Sequence, residues 1–239
     1  NEVDEFIGNV EPSTRSVSTA LNANLASLFT GGAPTLTSAE IKEVNDAYAK
    51  MTSINCYRNI DEAVRNKTSY AGTIFLDDTY ASAYFRKGSL AFPPYGILAS
   101  SMEHEFIHMY QRDVQGKKVD TDKEKRDTGM MEFELAFYQG IIRYIHAGYS
   151  WTFKGEDGDP SYQSLWTSGL TDPSLIPQYE REFQTYVASI CANGKPTSID
   201  INEFVKWSNI FGEYSRGYSG KGYKFGNYDY GTSCINSLL

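Results

Sequence analysis

Histidine is nearly missing from this chain, with three in 239 residues. Cysteine is equally sparse. Cys56, Cys191 and Cys234 lie far apart with no C-x-x-C spacing, which excludes a disulfide framework and a cysteine zinc site. They leave room for one long-range disulfide plus a thiol, or for three buried thiols. Long apolar runs are missing too. The longest stretch without charge, residues 16–39, is filled with Ser, Thr, Asn and Gly, and residues 88–102 are interrupted by Pro93-Pro94. Neither supplies the roughly 20 apolar residues of a transmembrane helix. Positive charge is also short, with 22 Lys+Arg against 30 Asp+Glu and a net charge of −8. The basic footprint of a nucleic-acid binder and the polybasic patch of a membrane binder are both lacking. No repeat of 20 to 50 residues is visible.

What the chain does have is rings. Its hydrophobic share of 41% excludes disorder along the whole length, and 18 Tyr and 13 Phe must supply much of the burial. Residues 1–36 form a poorly patterned N-terminal segment, and residues 37–239 read as one domain. Thr37-Ser38-Ala39-Glu40 has the capping-box pattern of a helix start. Short strands are expected at residues 70–76, 83–86 and 90–92. Helices are expected at 95–114, 130–146, 175–192 and 201–211, with a charged loop at 115–127 and an irregular Gly/Tyr/Ser tail at 214–231. This is an α+β pattern, mostly helical, with a small mixed sheet ahead of the first long helix. The chain begins at Asn1 rather than Met and is rich in Tyr, Asn and Ser. From these two features an exported bacterial protein (periplasmic, cell-surface or secreted) is expected.

Two of the three histidines fall in one motif. His104-Glu105-Phe106-Ile107-His108 is H-E-x-x-H, following a strand-like stretch and lying on an expected helix. Residues at i and i+4 project from one face, about 40° apart round the axis, so both imidazoles can reach one ion. Glu105 lies beside that face, where its carboxylate can take a proton from an attacking water. Such a site needs a third protein ligand. The His-rich extension H-E-x-x-H-x-x-G-x-x-H is excluded, because Gln111 and Val114 stand where it requires Gly and His. The third ligand is therefore expected to be a carboxylate from another helix.

Residues 130–146 offer two. At about 100° per residue, Glu132 shares a stripe with Gln139, Arg143 and His146, which reads as a solvated face. Glu134 falls among Met131, Tyr138, Ile141 and Ile145, on the apolar face. A carboxylate buried there is costly unless it is paired or bound to a metal. Burial thus selects Glu134, and the competing reading is a buried Glu held by an Arg or a Tyr hydroxyl.

The EHEFIHMYQ stretch, followed by EFELAFYQ from Glu132, resembles the HExxH-plus-Glu (gluzincin-type) zinc metallopeptidases, in particular small exported bacterial ones. The resemblance spans about 50 residues, 95–146. It implies a zincin-like fold, Zn2+ as cofactor, His104 and His108 as ligands, Glu105 as general base, and a peptide or protein as substrate. Several relatives take the first Glu of an E-x-x-A-D stretch as third ligand, which would select Glu132. Here Leu135 and Ala136 stand at the last two places, so Glu134 is retained as the expected ligand and Glu132 as the alternative. The resemblance further implies an oxyanion donor from a C-terminal segment, where Tyr214, Tyr218, Tyr223, Tyr228 and Tyr230 compete. It also implies an edge strand, 83–86 or 90–92, that aligns substrate. The competing functional class is a non-catalytic binding or surface-scaffold protein that keeps a zincin-like fold. Glu156-Asp157-Gly158-Asp159 lacks the order of an EF-hand and reads as an acidic turn.

Overall fold

The computed structural model describes residues 20–33, 35–117, 128–146, 148, 166–191 and 199–221. Most of the N-terminal segment, most of the charged loop, the acidic turn at 156–159, Cys234 and the tail beyond residue 221 lie outside the described residues. Helices predominate: α1 (Ala23–Leu28), α2 (Ser38–Ser53), α3 (Asn55–Lys67), α4 (Ala99–Met109), α5 (Thr128–His146), α6 (Ile176–Ile190) and α7 (Ile201–Tyr214). Strands β1 (Ile74–Leu76), β2 (Tyr84–Arg86) and β3 (Ser89–Phe92) form a sheet in the order β1-β3-β2. It is mixed, as expected, with β1 parallel and β2 antiparallel to β3. Among the described residues no helix is long and apolar enough to cross a membrane.

Local chemistry accounts for most boundaries. The Thr37 side chain accepts from the Glu40 backbone and Glu40 reaches back to the Thr37 backbone, so the capping box forms and α2 starts where the sequence places it. β2 and β3 are joined by Lys87-Gly88, both at positive φ (50° and 77°). That is the two-residue turn whose twist suits a hairpin. The strand expected over 70–76 is shortened at its start. Tyr70 bonds through its N–H to the Leu28 carbonyl and through its own carbonyl to the Thr30 N–H, so its pairing goes to the end of α1. At Gly72 the backbones approach so closely that a Cβ would lie 2.2 Å from the Gly88 carbonyl oxygen. The helix expected from residue 95 starts at Ala99. Pro93-Pro94 keeps the chain extended, and Gly96 adopts φ 149°, which no continuing helix contains.

Two helices escape the sequence pattern. α1 is only six residues long, yet Leu25, Leu28 and the following Phe29 are fully buried. α3 buries Cys56, Tyr57, Ile60, Asp61 and Val64 at helical spacing. Asp61 is tolerated inside because the Tyr48 hydroxyl donates to it at 2.8 Å and Arg65 at 3.0 Å. α4 runs through the middle, against α2, α3 and α5, with Met102, Phe106 and Met109 shielded from solvent. Below α5 the core is aromatic: Phe133 and Phe137 meet Phe204 at centroid distances of 5.0 and 5.3 Å, and Phe183 meets Trp207 at 5.3 Å.

This ring cluster fixes α5 against α6 and α7, and a truncation inside it tests that role. Phe137→Ala is expected to lower stability by about 3–5 kcal/mol in urea unfolding. A loss below about 1 kcal/mol, at the level of an ordinary surface substitution, would show that the rings do not share one core.

Candidate metal centre

α4 carries His104, Glu105 and His108 on the side that faces β2 and α5, while Met102, Phe106 and Met109 bury its opposite side. The two imidazoles converge. His104 Nε2 lies 3.1 Å from His108 Nε2. From α5, Glu132 places Oε1 3.3 Å from His108 Nε2 and Oε2 3.8 Å from His104 Nε2. Donors about 2.0–2.1 Å from a tetrahedral ion stand roughly 3.3–3.4 Å from one another. The three donor groups therefore have the separations that one ion requires, and His104, His108 and Glu132 form a group able to hold a metal.

Both histidines are where the motif puts them, and Glu105 is beside them, its Oε1 4.0 Å from His104 Nε2. The carboxylate that joins them is Glu132. Glu134, selected on burial, lies instead in the interior, where it accepts from Gln111 at 2.7 Å and from the Tyr138 hydroxyl at 3.1 Å and pairs with Lys117. Its burial is offset by these partners: the competing reading of a buried Glu held by an Arg or a Tyr hydroxyl has its Tyr in Tyr138, while the cation is Lys117 rather than an Arg. The Glu132 stripe is not solvated at this end: the Glu132 side chain is only 15% exposed and faces the cleft, although the same stripe runs out to exposed His146.

The cleft is open to solvent, with a volume of about 590 Å³. Ser82, Ala83, Tyr84 and Phe85 on the β2 side, Ser100 and Ser101 on α4, and Tyr218 line it together with the four site residues. Among the described C-terminal tyrosines, Tyr218 borders the cleft. Its ring stacks on Phe211 at 5.0 Å and its hydroxyl hydrogen-bonds to Glu132. Tyr214 packs on Tyr179 instead, and Tyr223, Tyr228 and Tyr230 lie outside the described residues. Nothing in the sequence pattern separates Tyr218 from its neighbours, because α7 ends at Tyr214 and the turn that follows has no period to read. Gln111 ends the EHEFIHMYQ stretch that carries the resemblance. It sits three residues after His108, and its Oε1 lies 2.9 Å from His108 Nδ1.

The electrostatics are those of two imidazoles and two carboxylates packed side by side. Burial would lower the His108 pKa, but the Glu132 carboxylate overrides it and raises the ring to about 9. Glu132 responds in the opposite sense. Burial would raise it, and the His108 charge holds it down at about 2. His104 is lowered to about 4 by burial and by the neighbouring His108 charge, so it stays neutral. Burial raises Glu105 to about 7, opposed by His108 and by a backbone hydrogen bond from Phe85. A carboxyl with a pKa near neutrality is suited to moving protons at physiological pH.

Metal binding here must expel the His108 proton, because that ring is cationic below about pH 9 and a ligating imidazole is neutral. Affinity for a divalent ion is therefore expected to rise about tenfold per pH unit between pH 7 and 8.5, following one released proton. Competition titrations against a chelator of known pH dependence measure this. A flat profile would contradict the His108–Glu132 ion pair.

Compared with protein-family models, curated proteins and solved structures, the chain matches none of them.

Proposed function

We propose that the protein is a zinc-dependent peptide-bond hydrolase of the HExxH-plus-Glu type, with a zincin-like architecture. The observation that carries this reading is the convergence of His104, His108 and Glu132 at 3.1 to 3.8 Å beside the buried Glu105. His104 and His108 would bind the ion through Nε2 and Glu132 through its carboxylate. Two imidazoles and a carboxylate are a donor set that zinc hydrolases use. When bound, zinc lowers the pKa of water towards about 7 and polarises a carbonyl oxygen.

The chain's own groups account for the rest. Glu105, held by the Phe85 backbone, takes a proton on its carboxylate from the attacking water and delivers it to the leaving amine. The Tyr218 hydroxyl lines the cleft and donates to Glu132; turned from that carboxylate towards a bound substrate, it would stabilise negative charge developing on the carbonyl oxygen. β2 is an edge strand and its residues border the cleft, a placement that suits an extended peptide added alongside it. A peptide or protein is accordingly the proposed substrate.

Metal analysis joined to an assay on unfolded protein substrates tests this reading. The native protein is expected to hold about one equivalent of zinc, and His104→Ala and Glu132→Ala to lose it. Glu105→Gln should keep the zinc and lose about 10²–10⁴-fold in rate. Tyr218→Phe should keep the zinc and lower kcat by about 10²-fold or more with KM little changed. No bound metal, with thermal stability indifferent to chelator, would sink the proposal and favour a non-catalytic scaffold.

A further inference from the structure

Among the buried polar groups that the mechanism above leaves unused is the cluster of Gln111, Glu134, Lys117 and Tyr138 beneath the site. Gln111 is fully buried. It lies in the π-helical turn Tyr110–Val114 that ends α4, where the Gln115 N–H bonds back five residues to the Tyr110 carbonyl. Such turns are frequent at functional sites.

The orientation of the Gln111 amide follows from its neighbours. On one side Nε2 donates to the Met131 carbonyl at 3.0 Å and to Glu134 Oε2 at 2.7 Å. A reversed amide would set its oxygen against the Met131 carbonyl, which can only accept, and against Glu134 Oε2, which already accepts from Lys117. Oε1 therefore faces His108 Nδ1 at 2.9 Å. An amide oxygen can only accept, so Nδ1 must carry a hydrogen, and Nε2 is then the nitrogen left to ligate. Glu134 is pinned in turn by Lys117 and by the Tyr138 hydroxyl.

We propose that Gln111 is a positioning residue that fixes His108 with Nδ1–H towards the interior and Nε2 towards the metal, and that Glu134 serves to aim it. This rests on the proposed metal site but assigns residues that the site itself does not include. Groups hydrogen-bonded to metal-ligating imidazoles hold the ring and its tautomer, and their loss typically lowers metal affinity 10–100-fold. Glu134 thus belongs to the site's support, two hydrogen bonds away from His108.

Two measurements test the assignment. Proton–nitrogen correlation spectra of the metal-free native protein should show a slowly exchanging His108 Nδ1–H, present whether the ring is neutral or cationic. In Gln111→Leu that resonance should be lost, and zinc affinity by chelator competition should fall about 10–100-fold, with zinc still bound at saturation. A native protein that lacks a protected Nδ1–H overturns the proposal even if Gln111→Leu fails to fold. A folded Gln111→Leu with native zinc affinity overturns it as well. If the native protein binds no zinc, the metallohydrolase reading fails, yet the Nδ1–H resonance and its loss in Gln111→Leu still decide the role of Gln111.

Discussion

Glu132 and Glu134 stand two residues apart on α5, about 200° round its axis, so they cannot share one environment. The seam between α4 and α5 assigns them. Phe133 and Phe137 pack on α7 and set the rotation of α5, and that rotation leaves Glu132 facing the imidazoles and Glu134 facing the interior. A change in helix rotation would move both carboxylates at once. The metal-ligating geometry of α4 depends on this, because two histidines at i and i+4 make half a site on their own.

Each carboxylate then has its charge compensated differently. Glu132 is held ionised by the His108 cation and the Tyr218 hydroxyl, and a metal ion can take the place of the His108 proton. Burial raises the Glu134 carboxyl above its usual range, opposed by the Lys117 ammonium and by hydrogen bonds from Gln111 and Tyr138. Removing one partner from such a buried pair leaves a charge without compensation, which is far more costly than losing a surface pair. Glu105 is a third case: buried beside the histidines and shifted towards neutrality, it has the character of a proton carrier rather than a ligand.

Much of this was legible in the residues. The H-E-x-x-H spacing on a helix, the capping box at Thr37, the short strands ahead of α4 and the reliance on rings all follow from local chemistry or from period. The premise that favours Glu134 in the sequence, that a buried carboxylate must be compensated, is sound. Which partner supplies the compensation is a matter of tertiary contact. Lys117 stands 17 residues before Glu134, and no helical wheel on α5 contains it. For the same reason the stripe of Glu132, Gln139, Arg143 and His146 looks uniformly polar in sequence, while in space only one end of it meets the cleft. Tyr218 depends wholly on tertiary placement, since the turn after α7 carries no pattern. α1 escaped because six residues are too few to show a period, although the core closes over Leu25 and Leu28.

The central claim is that one ion is shared by a histidine pair from α4 and a carboxylate from α5. Anomalous scattering from a crystal of the zinc-loaded protein, collected on both sides of the zinc edge, tests it most directly. The account predicts a single peak bonded to His104 Nε2, His108 Nε2 and a Glu132 oxygen at about 2.0–2.2 Å, with Glu134 still on Gln111 and Lys117. A peak coordinated by Glu134, or zinc bound only away from the His104–His108 pair, would contradict it.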